Sequence, residues 1–189
     1  PEMSRGLGDV YKRQGEQGGT AVAEVLFGDY NPAGRLTISV PRSVGQLPVY
    51  YNTKRKGNRS KYIEEEGTPR YPFGYGLSYT TFALGNLEAS LDEDTLVLGV
   101  TVENTGAFAG REVVQIYVSA PVSEMDMPEQ ELKGFQKTML LAPGEKEDIK
   151  IRIPLRNLAS YSENAGGYIL SKGDYGVRIA VSYTHLRAH

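Results

Sequence analysis

The chain of 189 residues contains no cysteine and no tryptophan, and it has only two histidines. Without cysteine it cannot form a disulfide framework, supply a thiol nucleophile or bind a metal through thiolates. Both histidines, His185 and His189, stand at the C-terminal end. The rest of the chain therefore has neither the histidine nor the cysteine that Ser-His-Asp catalysis, Cys-His catalysis and the usual zinc sites require. We expect neither a metal nor a cofactor.

The chain also lacks an excess of charge and a long apolar run. It has 21 Lys and Arg against 23 Asp and Glu, a net charge of −2, so nothing attracts it electrostatically to nucleic acid or to an acidic membrane. No run of about 18 apolar residues, the length that a membrane-spanning helix needs, is present. Hydrophobic residues make up 40% and charged residues 23%, which is typical of globular proteins. We expect a soluble protein of roughly one or two domains.

Both ends of the chain look foreign to the protein. Residues Ser4 to Gln14 back-translate to a DNA sequence that resembles a transposase sequencing adapter, and residues Val181 to His189 back-translate to its other strand. Such segments are set aside before the fold is considered. We expect residues 1–14 and 181–189 to be adapter-derived tails, with genuine flexible tails as the alternative.

The first natural segment predicts a helix, a turn and a strand. Between Glu16 and Phe27, the apolar residues that recur at helical spacing are Ala21, Val22, Val25 and Leu26. Gly28 is expected to end this helix. Turn-forming residues fill the stretch from Gly28 to Gly34, and Leu36, Ile38 and Val40 then alternate until Pro41. A unit of this size cannot bury both of its faces alone. We interpret it as the end of a larger α/β domain.

Two connecting segments follow. The stretch from Asn52 to Gly67 has no apolar periodicity, and its acidic cluster Glu64-Glu65-Glu66 is interpreted as a solvated loop rather than a general acid or cation site. Residues 71–83 form a connector in which aromatic residues alternate with proline and glycine, and its rings favour packing over a sugar-stacking platform. These rings belong to Tyr71, Phe73, Tyr75 and Tyr79.

From Phe82 onward the apolar period becomes two, and the predicted β domain covers residues 84–180. Turn signals such as Asn104-Thr105-Gly106 separate the alternating runs, and about seven short strands at this spacing predict an immunoglobulin-like sandwich. The predicted strands begin with Phe82 to Leu91, and the later ones centre on Leu96 to Val102, Val114 to Val118, Leu132 to Leu141, Ile149 to Ile153, Tyr168 to Leu170 and Tyr175 to Ile179. Leu158 and Tyr161 are expected at a corner between the sheets. The fold class is mainly β.

Six strings occur in an order that closely resembles the C-terminal region of glycoside hydrolase family 3. They are GDYNPAGRL (Gly28 to Leu36), PRSVGQLPVYYN (Pro41 to Asn52), YPFGYGLSYTTF (Tyr71 to Phe82), VTVENTGAFAGREVVQIYV (Val100 to Val118), ELKGFQK (Glu131 to Lys137) and LAPGE (Leu141 to Glu145). The resemblance implies that residues 15–70 end the family's α/β sandwich domain and that residues 84–180 form its fibronectin type III-like domain. It also implies an upstream (β/α)8 barrel in the same chain.

The resemblance implies retaining hydrolysis of β-glucosides by two carboxyl groups about 5 to 5.5 Å apart. It places the Asp nucleophile in the barrel and the Glu acid/base ahead of the first helix, so no residue here inherits a catalytic role. Family members often show a basic residue, Tyr, Ile and Asp before the TPLYPFG string. Here Lys61-Tyr62-Ile63-Glu64 stands in that place, with Arg70 for Leu. Tyr62 and Glu64 are the candidate substrate-binding residues.

Two functions from different classes fit this sequence. The first is the non-catalytic, bracing part of a family 3 β-glucosidase, whose partners are the upstream domains and whose substrate is an oligosaccharide or β-glucoside. The alternative is a stand-alone fibronectin-like module that binds carbohydrate or protein, against which the lack of Trp counts. The sequence does not decide between β-glucosidase and β-xylosidase specificity. The family resemblance favours a periplasmic or secreted enzyme.

Overall fold

The computed structural model of the chain describes residues 16–54, 67–121 and 125–180. Its first element is helix α1 (Gly18–Phe27), which Gly28 ends in the left-handed conformation with φ of 86°. This is the helix and the terminating glycine that the sequence predicts. The apolar face is open to solvent, because the exposed fraction is 58% for Val22, 73% for Leu26 and 84% for Phe27. None of the helices in the described part of the chain is long and apolar enough to cross a bilayer.

The segment predicted as a strand from Leu36 to Val40 bends at Thr37 and Ile38 and lies antiparallel to the connector. Leu36 N donates to Tyr75 O at 2.8 Å, and Gly74 N donates to Leu36 O at 2.8 Å. Val40 N donates to Tyr71 O at 2.8 Å, which is the single bridge of this pairing. The prediction of a continuous strand is corrected to a bent segment with an isolated bridge at Val40. A short 3-10 helix, Val44–Gln46, follows it.

The second part of the chain is a β-sandwich, as the sequence predicts. One antiparallel sheet has the order β1-β2-β5 and the other has the order β4-β3-β8, while β6 and β7 form a separate hairpin. The strands are β1 (Phe82–Asp92), β2 (Thr95–Asn104), β3 (Val113–Ser119), β4 (Glu131–Lys137), β5 (Lys146–Pro154), β6 (Ser160–Ser162), β7 (Gly167–Ile169) and β8 (Gly176–Ala180).

The two sheets share one hydrophobic core, which the period-two alternation fills. Inward residues come from β2, β3 and β5 and from the segments beside them. They are Leu98, Val100, Val102, Val114, Ile116, Val118, Leu141, Ile149, Ile151, Ile153 and Leu158. Each side chain is at most 7% exposed. Burial of this apolar surface is the main stabilising contribution to the sandwich.

Two predictions for the sandwich differ from the structure. The strand predicted from Leu132 to Leu141 ends at Lys137, and Leu141 instead makes an isolated bridge with Gly110. The three-residue strand β6 was not predicted, since it carries no alternating pattern. The corner is present: the 3-10 helix Leu155–Leu158 buries Leu158, while Tyr161 of β6 lies opposite Tyr168 of β7.

Strand β3 is buried on both faces. Val114, Ile116 and Val118 point into the sandwich core, and on the other face Gln115 is 3% exposed and Tyr117 is fully buried. An outward-facing position of a two-sheet sandwich is ordinarily in water. Something other than the sandwich therefore covers this face.

Candidate functional site

The cover over β3 is the connector. Gln115 Nε2 donates to Gly74 O at 3.2 Å, and Tyr117 OH donates to Gln115 Oε1 at 2.7 Å. Gly74 has φ of 78°, and a Cβ atom built there would collide with Gln115 Oε1 and Tyr117 OH. Only glycine allows the backbone to come this close in this conformation.

A buried ion pair lies beside this contact. Arg35 Nη2 donates to Glu112 Oε1, and the side chains are only 8% and 5% exposed. Glu112 Oε1 also accepts a hydrogen bond from Val113 N at 2.6 Å. Loss of solvent on burial raises the pKa of Glu112, although the positive charge of Arg35 and the bond from Val113 both act to lower it. The pair ties Arg35, immediately before residues 36–40, to Glu112 at the start of β3.

Asn31 joins three segments with one side chain. Its Nδ2 donates to Ala109 O at 2.9 Å, while its Oδ1 accepts from Ser78 Oγ at 2.8 Å and from Tyr79 N at 2.9 Å. Tyr79 OH in turn donates to Val25 O on α1. We refer to the five residues Asn31, Arg35, Gly74, Glu112 and Gln115 as the junction. It binds the helix-containing part, the connector and the sandwich to one another.

Asn104 supports the sandwich side of the junction from within. Its side chain is fully buried, and its Nδ2 donates to Phe108 O and to Leu141 O, each at 2.8 Å. Its Oδ1 accepts from Thr80 Oγ1 at 2.7 Å and from Gly106 N at 3.1 Å. One amide thereby fixes the turn after β2, which carries Ala109 towards Asn31.

The aromatic residues of the connector pack on protein. Phe73 stacks on Tyr51 with ring centroids 3.9 Å apart, and Tyr71 lies 5.1 Å from Tyr75. Burial raises the pKa of the Tyr51 phenol. These contacts favour structural packing over the sugar-stacking platform for this set of rings.

The two candidate substrate-binding residues, Tyr62 and Glu64, lie outside the described residues, as does the acidic cluster that includes Glu64. The described residues beside them are well anchored. Lys54 makes an isolated bridge with Pro128, and Thr68 O accepts from Arg42 Nε at 3.0 Å and from Gln46 Nε2 at 3.2 Å. Within residues 16–54, 67–121 and 125–180, no three His, Cys, Asp or Glu side chains are grouped to hold a metal ion.

Sequence reasoning did not identify the junction. One signal was available, because Gln115 interrupts an otherwise apolar run from Val113 to Val118. A polar residue at such a position must be hydrogen-bonded if it is buried. The partners of Gln115 and Glu112 stand about 40 and 80 residues earlier in the chain, which no local pattern indicates.

Two family models match the chain on either side of the junction. Residues 11–79 match the glycosyl hydrolase family 3 C-terminal domain, and residues 112–183 match the fibronectin type III-like domain. Asn31, Arg35 and Gly74 belong to the first match, and Glu112 and Gln115 belong to the second. The junction is therefore the contact between the two matched domains.

Curated proteins and solved structures give the same result. The chain is 40% identical over 187 residues to a periplasmic beta-glucosidase of Salmonella typhimurium, covering 92% of this chain and 24% of that protein. It is 36% identical over 171 residues to a putative beta-xylosidase of Formosa agariphila, covering 88% and 22%. A β-glucosidase structure from Erythrobacter marinus matches with a TM-score of 0.83 at 38% identity, covering 93% and 23%. The chain thus spans about a quarter of the length of the relatives it matches.

Proposed function

Since the chain carries the glycosyl hydrolase family 3 C-terminal domain followed by a fibronectin type III-like domain, we propose that it is the C-terminal portion of a retaining β-glucosidase that hydrolyses terminal β-D-glucosyl residues. The β-glucosidase name of a relative at 40% identity supports this activity. Retaining hydrolysis needs a nucleophile and an acid/base about 5 to 5.5 Å apart. Both carboxyl groups belong to upstream domains in this proposal, so the chain alone is inactive.

The role of the chain is to brace the parent enzyme. The observation that carries this role is the junction, where the Arg35–Glu112 ion pair and the Gln115 contact with Gly74 are buried between the two matched domains. A buried pair of this kind tolerates no other relative placement of its partners, because an unpaired buried charge costs about 3 to 5 kcal/mol. The open apolar face of α1, with Val22 and Leu26, packs on the upstream α/β layer.

The finer organisation follows from the same proposal. Residues 15–70 complete the α/β sandwich domain, residues 71–83 are the connector and residues 84–180 are the fibronectin-like domain. Residues 1–14 and 181–189 are adapter-derived. Sequencing the parent gene tests the tails directly, because an adapter-derived segment is replaced there by different codons that continue the reading frame.

Substrate contact by this chain is assigned to Tyr62 and Glu64. The hydroxyl and carboxylate of these residues offer the hydrogen bonds that sugar hydroxyls need. A putative beta-xylosidase among the relatives defines the competing specificity.

The test compares the parent enzyme with the 189-residue chain on p-nitrophenyl β-glucoside and p-nitrophenyl β-xyloside. We expect turnover by the parent with a higher kcat/KM for the glucoside, and no turnover by the chain alone. In the parent, Glu64→Gln should raise KM for the glucoside, with Glu93→Gln in the exposed turn between β1 and β2 as the matched control. Turnover by the chain alone would show that a carboxylate pair lies within it, and equal kinetics for Glu64→Gln and the control would remove Glu64 from the substrate site.

A further inference from the structure

An open cleft of about 1080 Å³ lies on the sandwich, separate from the junction. We call it the hairpin cleft, because the β6–β7 hairpin forms one wall. The second wall comes from residues before and within β4, and the floor extends to Asn52 and Lys54. None of the junction residues lines it.

Among the described residues that line the hairpin cleft, the positive and negative charges are equal in number. Its lining contains three lysines, Lys54, Lys133 and Lys172, and three acidic residues, Asp126, Glu131 and Glu163. Lys133 Nζ lies 3.2 Å from Glu131 Oε2, so two of these charges neutralise each other within the wall. A phosphate or nucleic acid site concentrates positive charge. A balanced lining instead fits a neutral ligand that carries many hydroxyl groups.

Tyr161 lines the hairpin cleft, and Tyr168 packs against it from the facing strand. Tyr161 and Tyr168 are opposite each other in the β6–β7 register, with ring centroids 5.5 Å apart and planes at 74°. The exposed fraction is 58% for Tyr161, which lines the cleft, and 78% for Tyr168. Two large rings held by a short hairpin present apolar faces to water next to a polar wall. Aromatic residues of this kind, with one wet polar end, are typical of binding surfaces.

These features match the chemistry of a sugar chain. A pyranose ring has an apolar face of C–H groups, which packs on an aromatic ring, and a rim of hydroxyl groups, which both donate and accept hydrogen bonds. Tyr161 supplies the ring, while Asn52, Ser160 and Asn164 supply neutral donors and acceptors along the lining. A few placed polar groups beside an apolar surface are what fixes a small ligand in a pocket.

We propose that the hairpin cleft is a binding site for a neutral oligosaccharide, with one sugar stacked on the ring of Tyr161. The preference for β-linked glucose units rests on the proposed function, whereas the sugar class rests on the cleft alone.

The experiment is a calorimetric titration of the whole 189-residue chain with cellopentaose, and with maltopentaose as the α-linked counterpart. Tyr161→Ala should weaken binding by about tenfold, which corresponds to about 1.4 kcal/mol, while Tyr161→Phe keeps the ring and should retain the affinity. The matched control is Phe27→Ala, which removes an equally exposed ring (84% exposed) on α1 and should change nothing. Circular dichroism of each variant checks that the sandwich is folded.

Each outcome decides the proposal. Binding of either sugar that Tyr161→Ala weakens and Tyr161→Phe preserves supports a sugar site, and preference for cellopentaose supports its β-linkage. No binding of either sugar, or equal loss in Phe27→Ala, overturns it. Affinity that is unchanged in Tyr161→Ala also overturns it, because the sugar then binds elsewhere. Hydrolysis by the parent enzyme is measured separately, so failure of this site leaves the proposed β-glucosidase function standing.

Discussion

Replacing Gly74 by alanine tests the closeness of the connector to β3. The substitution places a Cβ where Gln115 Oε1 and Tyr117 OH already lie, at a backbone with φ of 78°. The left-handed conformation alone costs an alanine about 1 to 2 kcal/mol. Moving the Gln115 side chain also breaks its bond to Gly74 O and the bond from Tyr117 OH, and each buried polar group left unpaired costs about 1 to 3 kcal/mol.

Gly144 provides the matched control. It has φ of 80°, and a Cβ built there meets nothing within 4 Å. Gly144→Ala therefore carries the conformational cost without the collision. We expect a loss of about 3 to 5 kcal/mol in the free energy of unfolding for Gly74→Ala and about 1 to 2 kcal/mol for Gly144→Ala.

The assay is urea denaturation of the whole chain, with the free energy taken from midpoint and slope. Amide exchange at Gly74, whose N–H donates to Leu36 O at 2.8 Å, shows whether the connector detaches locally before the sandwich unfolds. Equal destabilisation by Gly74→Ala and Gly144→Ala would refute the reasoning. It would mean that the connector does not press on β3.

Two further predictions concern buried polar groups. Asn104→Ala should lower the free energy of unfolding by about 3 to 4 kcal/mol in urea denaturation, because four hydrogen bonds to its buried side chain are lost. The control Asn157→Ala, on the exposed side of a 3-10 helix, should lower it by less than about 0.5 kcal/mol. Similar losses in the two variants would contradict this role for Asn104. Burial raises the pKa of Glu112. The contribution of this residue to the free energy of unfolding should therefore be complete at acidic pH and should fall as pH rises through the raised pKa. Arg35→Met should raise that pKa further and steepen the fall, and a free energy of unfolding that rises over this pH range in both proteins would contradict the assignment.

The sandwich was predictable because its signal is local. Leu98, Val100 and Val102 alternate with polar or small neighbours, and the pattern alone sets which face is buried. Strand β6 was missed because Ser160 to Ser162 form no alternating apolar run, and no glycine pair marks its start as Gly166-Gly167 marks the start of β7. The burial of Gln115 could not be predicted, since it depends on a connector that stands about 40 residues earlier. Gln115 is buried despite its polar side chain because the connector packs on it.

The candidate site was predictable only as far as the family resemblance reached. The family assignment came from strings such as those around Gly28 to Leu36 and Tyr71 to Phe82, and the comparisons agree with it. The substrate contacts assigned to Tyr62 and Glu64 stay predictions. The junction was found from coordinates, because an ion pair between Arg35 and Glu112 follows from three-dimensional placement and not from spacing.

The burial of β3 on both faces determines where the chain can be cut for expression. A piece that starts at Phe82 would keep the eight strands that the structure describes, yet it would leave the ring of Tyr117 in water and Glu112 without Arg35. Such a piece would expose an apolar surface that favours aggregation, although it contains the whole of the fibronectin type III-like match. A stable fragment for expression should therefore begin before Asn31, so that it includes the connector. The smallest transferable unit of this protein therefore crosses the boundary between the two family-model matches.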